Sequence, residues 1–282
     1  MKKFFGMLTV LFALATLGAC GSSNTTAQGQ EKDQLAAIKK SGVLKVATSA
    51  DYAPFEFHTM VDGKDKIVGS DIDLAKAIAK ELGVKAEVSD MNFNTVLASL
   101  KEGKADLAIS AISATDERKQ QFDFTDNYYN PPQVVIINKK NKEIYRNAND
   151  LKDKNVGAQK GSIQEELVKT QLKGAKLVTI DKVPNMIVEV NQGSLAATVV
   201  EKTIAESYIA QNPDLMIADI SLEPAPDEAF AIALPKESSQ LQKESSQLQK
   251  ELNQIIKKLN DEGKIEEFIQ QNNELAEKTA AE

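Results

Sequence analysis

The sequence predicts an α/β protein of two lobes, each a mostly parallel sheet flanked by helices, joined by a two-strand hinge. Three observations carry this expectation. Short apolar runs alternate with helix-length amphipathic segments, the pattern of parallel sheets with helices on their faces. Polar, Pro-rich chain interrupts the alternation twice, at Asn130-Pro131-Pro132 and at Glu223-Pro224-Ala225-Pro226, each time before an apolar strand. The block between these interruptions resembles the first in architecture but not in sequence. Two halves joined by a double crossing place a ligand between them, beyond the carboxyl ends of the strands.

The chain opens with Lys2 and Lys3, an apolar run over 4–17 and then Leu17-Gly18-Ala19-Cys20. The run suits a secretory signal and is short for a bilayer span. Cys20 is the only cysteine, so no internal disulfide forms. Residues 20–34 are Ser-, Thr-, Asn-, Gln- and Gly-rich and read as a flexible tether. The expected segments are a signal over 1–19, the tether over 20–34, a first lobe over 35–132 with 227–282, and a second lobe over 133–226. Without Lys2 and Lys3 the chain carries 32 basic against 41 acidic residues, or −9. That sign argues against nucleic acid and against broad contact with an anionic membrane.

Leu44-Lys45-Val46-Ala47-Thr48 predicts the first strand. Pro54 excludes a helix after it, so Tyr52 and Phe55 fall on a loop, each a ligand wall or a plug of local core. Asp62-Gly63 predicts a hairpin turn. His58 has no metal-ligand spacing around it and reads as a surface residue. Ser70 reads as the cap of a helix over 71–82 that Gly83 stops; Ile72, Ala75, Ile78, Ala79 and Leu82 share one face. A strand over 84–88 and a helix from an Asn94 cap to Lys101 follow.

Leu107-Ala108-Ile109 reads as a buried strand that breaks into Ser110, Ala111, Ser113 and Ala114. Thr115 then caps a helix with Asp116 and Glu117 in its first turn. Such a break turns backbone N–H groups into a crevice, an arrangement that binds anions. Arg118 lies beside it, and Arg146 is the only other arginine among 34 basic residues. A planar fork for a carboxylate is one reason to keep Arg there; a solvated helix residue is the other reading.

In the second block, strands are expected over 133–137, 155–158, 176–180, 195–200 and 215–218. Helices are expected from Ser162 to Leu172, from Pro184 to a Gly193 stop, and over 204–211. A strand over 229–234 and one long helix close the chain. In that helix the heptad KESSQLQ (236–242) recurs unchanged (243–249). Seven residues rotate a helix face by only about −20°. Leu241, Leu248, Leu252, Ile255, Ile256 and Leu259 can therefore share a stripe, and the extra heptad lengthens the helix by about 10 Å. One apolar residue per heptad is too thin for a coiled coil.

Several stretches together resemble a family: VATSADYAPFEF (46–57), GSDIDLAKAIAKELG (69–83), ISATDER (112–118), FDFTDNYY (122–129), VGAQKGSIQE (156–165) and VVEKTIAESY (199–208). They are similar to the polar-amino-acid-binding lipoproteins of bacterial ABC importers, the family-3 solute-binding proteins. The resemblance runs from Leu44 to the C-terminus and implies the type II periplasmic-binding-protein fold. Residues 17–20 resemble a lipobox. That implies cleavage before Cys20, a diacylglycerol on its thiol, an acyl chain such as palmitate on the new N-terminus, and a site on the outer face of the cell membrane.

The resemblance also implies roles. Arg118 would clamp the ligand α-carboxylate, helped by N–H or hydroxyl donors from Ser110, Ala111 and Ser113. Tyr52 and Phe93 would sandwich the side-chain stem. The turn at Gln159, Gly161 and Ser162 would open a helix that adds donors. Glu201 would pair with the α-ammonium, where many relatives carry Asp, and Ser49 sits where some basic-amino-acid binders carry Asp. The implied ligand is a free polar L-amino acid, arginine favoured, delivered by a monomer to an ABC permease without cofactor or metal. A dehydratase-like cleft enzyme and a surface adhesin or sensor module are the alternatives. Against the enzyme, spacing reveals no Ser-His-Asp set, metal cluster or carboxylate pair. Asp51, Glu56 and Asp90 offer carboxylates that could line a pocket for a guanidinium, but each reads as a solvated loop residue.

Overall fold

The computed structural model describes residues 34–224, 228–236 and 246–280. The signal segment, Cys20, the tether before Gln34 and most of the first KESSQLQ copy, with Leu241, lie outside the described residues.

Helix α1 (Gln34–Ser41) and strand β1 (Val43–Thr48) come first. A ribbon follows, β2 (Asp51–Tyr52), β3 (Glu56–Val61) and β4 (Lys64–Val68), its hairpin turn at Asp62 and Gly63. Then come α2 (Ser70–Leu82), β5 (Lys85–Asp90), α3 (Phe93–Lys101), β6 (Leu107–Ala108), the four-residue α4 (Asp116–Lys119) and β7 (Phe122–Phe124). The second block runs β8 (Gln133–Asn138), β9 (Asn155–Gln159), α5 (Gln164–Gln171), β10 (Lys176–Ile180), α6 (Val183–Gln192), β11 (Ala197–Glu201), α7 (Lys202–Gln211) and β12 (Leu215–Ile217). The chain returns through β13 (Ala233–Pro235) to α8 (Gln247–Asp261) and α9 (Lys264–Ala280).

Two five-stranded sheets result, ordered β5-β1-β6-β13-β7 and β10-β9-β11-β8-β12. Strands joined through helices pair in parallel: β1 with β5 and β6, β9 with β10 and β11. The strands entered directly from the other sheet, β8 and β13, run antiparallel to their neighbours. A direct crossing has no helical crossover to reverse the chain, so it delivers the opposite direction. The two crossings lie side by side: Phe230 N–H donates to the Tyr129 carbonyl (2.7 Å), and Tyr128 N–H to that of Phe230 (2.9 Å). Phe55 packs against them, 5.2 Å from the Phe230 ring and 5.5 Å from that of Tyr129. Of the two loop aromatics, Phe55 is thus the buried plug.

Local signals placed several element ends as expected and missed others where packing overrode them. Gly83 and Gly193 end α2 and α6 in left-handed backbone. Gly69, rather than Ser70, holds the cap position of α2; the Ser70 hydroxyl is buried without a partner. The chain there presses on the first loop, and Asp71 N–H donates to the Phe55 carbonyl (2.9 Å). A Cβ on Gly69 would lie 2.0 Å from that oxygen. Asn92, not Asn94, precedes α3, and Ile163, not Ser162, precedes α5.

The strand expected over 229–234 pairs as a ladder only from Ala233. Before it, the N–H groups of Phe230, Ala231 and Ile232 go to three different segments, at Tyr129, Ile112 and Thr125. The expected single C-terminal helix is two, broken where Gly263 adopts φ 67°. Ser246 caps α8 within the second heptad copy, and Leu248, Leu252, Ile255, Ile256 and Leu259 form its buried stripe. Among the described residues no helix is long and apolar enough to cross a membrane.

Gly69 and Gly83 separate steric from torsional cost. Gly83 has φ 72° with open space around it, so Gly83→Ala is expected to lose about 1 kcal/mol of unfolding free energy. Gly69→Ala adds a clash with backbone to a φ of 132° and is expected to lose about 3 kcal/mol or more. Denaturant titration measures both, and equal losses would show that Gly69 does not govern the Phe55 contact.

Candidate functional site

The carboxyl ends of the two sheets converge on one cavity. Gln159 and Glu201 are the last residues of β9 and β11, and Ser49 and Ser110 follow closely on β1 and β6. The empty space between these residues measures about 310 Å³, open solvent at its mouth included. Its first-sheet side carries Ser49, Tyr52, Phe93, Ser110, Ala111, Ser113 and Arg118, and its second-sheet side Gln159, Ser162 and Glu201. Every residue singled out for ligand contact in the sequence therefore lines it. So do Asp51 and Glu56, which read as solvated, and Ile163 and Gln164, which sequence reasoning missed.

Thr115 caps α4, its Oγ1 accepting the Arg118 N–H (3.2 Å). A helix of four residues adds little dipole, so the anion-binding capacity rests on the Arg118 side chain. Nη1 donates to the Ser113 carbonyl (2.8 Å) and Nη2 to that of Gly161 (3.0 Å) across the cleft. The Phe93 ring centre lies 5.7 Å from Cζ, a cation–π distance. Gly161 comes close enough because it has no Cβ: one would stand 3.2 Å from Asn94 Cα. Loss of water lowers the Arg118 pKa to about 10, against the opposing pull of Glu117 and Glu201. Among the described residues both of its hydrogen bonds go to carbonyls, so the fork keeps donors and meets no bonded carboxylate there.

The small residues before Arg118 act differently from the donors that the resemblance implies. Ser110 Oγ donates to Glu56 Oε1 (2.8 Å) and accepts from Ser49 N–H (3.0 Å). Ala111 N–H donates to Asp71 (2.8 Å), and Ser113 Oγ to the Glu228 carbonyl (3.0 Å). These groups tie the wall together. By contrast, the Ser162 hydroxyl is buried without a partner.

Opposite lies an acidic wall. Glu201 accepts from Tyr52 Oη across the cleft, and from Gln164 Nε2 (2.8 Å) and Gln133 Nε2 (3.2 Å). Burial raises its pKa, and these donors oppose the rise. On the first-sheet side Asp51 and Glu56 are buried rather than solvated; Asp90 lies outside the cavity and meets His58 (3.4 Å) and Lys182 (3.9 Å). His58 is exposed, as read. Glu56 faces Asp71, which accepts from Ala111 N–H and the Tyr128 hydroxyl (2.8 Å). Burial lifts Asp71 to about 6, and burial with the Asp71 charge pushes Glu56 well above the usual carboxylate range. Two such carboxyls titrate as a pair, and Glu56 keeps its proton after Asp71 has lost its own. Among the described residues no group of three or more His, Cys, Asp or Glu is placed to hold a metal.

A carboxyl raised in the folded state stabilises it fully below its unfolded pKa, and the benefit is lost as pH rises through the folded value. For Asp71 that window runs from about 4 to about 6. The wild type should lose on the order of 1–3 kcal/mol across it from this pair. Glu56→Gln supplies a fixed N–H toward Asp71 and should flatten the loss. Denaturation midpoints measured at several pH values check this, and parallel pH profiles for the two proteins would refute it.

Residues 44–273 match the bacterial extracellular solute-binding proteins, family 3. The chain is 38% identical to the arginine-binding extracellular protein ArtP of Bacillus subtilis, over 84% of this chain and 88% of that one. It is 32% identical to a probable histidine-binding protein of Campylobacter jejuni, over 77% and 80%. Among solved structures it resembles AbpA of Streptococcus pneumoniae, an amino acid ABC transporter substrate-binding protein crystallised with L-arginine. That similarity has 43% identity and a TM-score of 0.79, and covers 86% of this chain and 98% of the other. With two sheets facing one cleft across a double crossing, the chain belongs to the family-3 bacterial extracellular solute-binding proteins, of the type II two-lobed fold.

Proposed function

We propose that this protein captures a free L-amino acid with a cationic side chain, L-arginine foremost, between its lobes and delivers it to an ABC importer permease. The observation that carries the reading is the layout of charge. A desolvated guanidinium, bonded to no carboxylate among the described residues, stands on the first-sheet side of the cavity, and buried Glu201 on the second-sheet side. A zwitterion, with one carboxylate and one ammonium, completes that pair. Arg118 takes the α-carboxylate, with the unpartnered Ser162 hydroxyl in support. Glu201 takes the α-ammonium, and Tyr52 and Phe93 flank the stem. The relatives named for arginine and the L-arginine-bound AbpA support the choice of side chain.

Capture without turnover follows from how the acids are engaged. Glu201 is held by three donors, and Glu56 and Asp71 by each other and by Ser110 and Tyr128, so none is poised as a base. The lobes comprise 35–132 with 227–282, and 133–226. The protein works as a monomer on the extracytoplasmic face, held to the membrane by acyl chains at Cys20 and spaced from it by the tether.

Isothermal titration against a panel of amino acids tests this. L-Arginine should bind one-to-one and be recovered intact after long incubation. Arg118→Ala should weaken binding by roughly 100-fold or more, and Arg118→Lys by less, since a point charge cannot form the fork. No heat with any amino acid, or unchanged affinity in Arg118→Ala, would sink the reading; consumption of L-arginine would favour the enzyme.

A further inference from the structure

We propose that Asp51 is an interlobe latch, a positioning residue that sets how long a ligand stays without choosing which ligand binds. The proposal rests on the amino-acid capture described above. Asp51 belongs to the first lobe, yet three elements of the second converge on it. Its Oδ2 accepts from Val183 N–H (3.0 Å) at the start of α6 and from Gln159 Nε2 (3.2 Å) at the end of β9. Its backbone carbonyl accepts from the Tyr208 hydroxyl (2.9 Å) of α7. Within its own lobe, Ser49 Oγ donates to Oδ1 (2.9 Å) and holds the carboxylate in place.

Other contacts across the cleft use groups that also face the ligand. Arg118 reaches the Gly161 carbonyl and Tyr52 reaches Glu201, and both must share those side chains with whatever occupies the cavity. Asp51 and Gln159 line the cavity as well, but Val183 and Tyr208, which supply two of the latch's three interlobe donors, do not. Their bonds to Asp51 are made when the lobes close, whichever side chain lies inside. Opening returns the carboxylate and its donors to water, so each bond carries a modest net weight and the latch tunes residence time. The acceptor sites of Asp51 are also largely filled by protein, which leaves it little capacity for a ligand cation.

Stopped-flow dissociation of L-arginine, its uncharged isostere L-citrulline and L-histidine from wild type, Asp51→Ala and Tyr208→Phe tests the latch. Tyr208→Phe removes one hydroxyl from outside the cavity, and Asp51→Asn replaces Asp51→Ala if the latter fails to fold. Both variants should release every ligand faster, roughly tenfold for Asp51→Ala and less for Tyr208→Phe, by one factor per variant across ligands. A loss confined to L-arginine would make Asp51 a side-chain contact and overturn the latch. Unchanged dissociation in both variants would overturn it too. If the wild type binds none of the three, the proposed function fails, and small-angle scattering of the unliganded proteins decides the latch separately. A larger radius of gyration in both variants supports it; radii equal to wild type overturn it.

Discussion

A guanidinium drawn out of water needs a partner, and Glu201, the acid that pulls on Arg118 from the other sheet, stands across a cleft. Arg118 donates to two carbonyls, Ser113 and Gly161, which orient it without neutralising it. Bringing it into direct contact with Glu201 would remove the need for a ligand; holding the two apart leaves a gap of matching polarity. The fold maintains that gap because each charge is anchored to a different sheet. Arg118 follows β6 through Thr115, and Glu201 ends β11. A zwitterion can satisfy both, so binding energy and closure are one event.

The lining residues and their neighbours share a second set of polar contacts whose work is internal. Ser110 joins Ser49 to Glu56, Ala111 and Tyr128 hold Asp71, and Gln133 and Gln164 hold Glu201. A site built this way is organised before the ligand arrives, so less ordering cost falls on the binding step. Its own cost is electrostatic. Carboxyls packed together out of water resist ionisation, which is why Glu56 and Asp71 titrate as a pair.

Closure needs a joint that bends without coming apart. The crossings at Tyr128–Tyr129 and Phe230 are bonded to one another and wedged by Phe55, whose ring meets that of Phe230 nearly edge-on at 85°. Aromatic packing at the base fixes where the lobes meet, and the short segments between sheets absorb the rotation.

Much of this was legible from neighbouring residues alone. Periodicity exposed the alternation of strands and helices, Gly83 and Gly193 marked helix ends, Thr115 marked a cap, and the scarcity of arginine drew attention to Arg118. Such features depend on residues a turn or two apart, whose geometry the local chain dictates. The displaced start of α2, the broken ladder before β13, and the burial of Asp51 and Glu56 depended instead on distant chain. Gly69 replaces Ser70 as the cap because Phe55 presses on the backbone there. Asp51 leaves solvent because Val183, 132 positions away, offers it an N–H. Desolvation and long-range hydrogen bonds are properties of assembled neighbours, and no spacing in a linear chain encodes them.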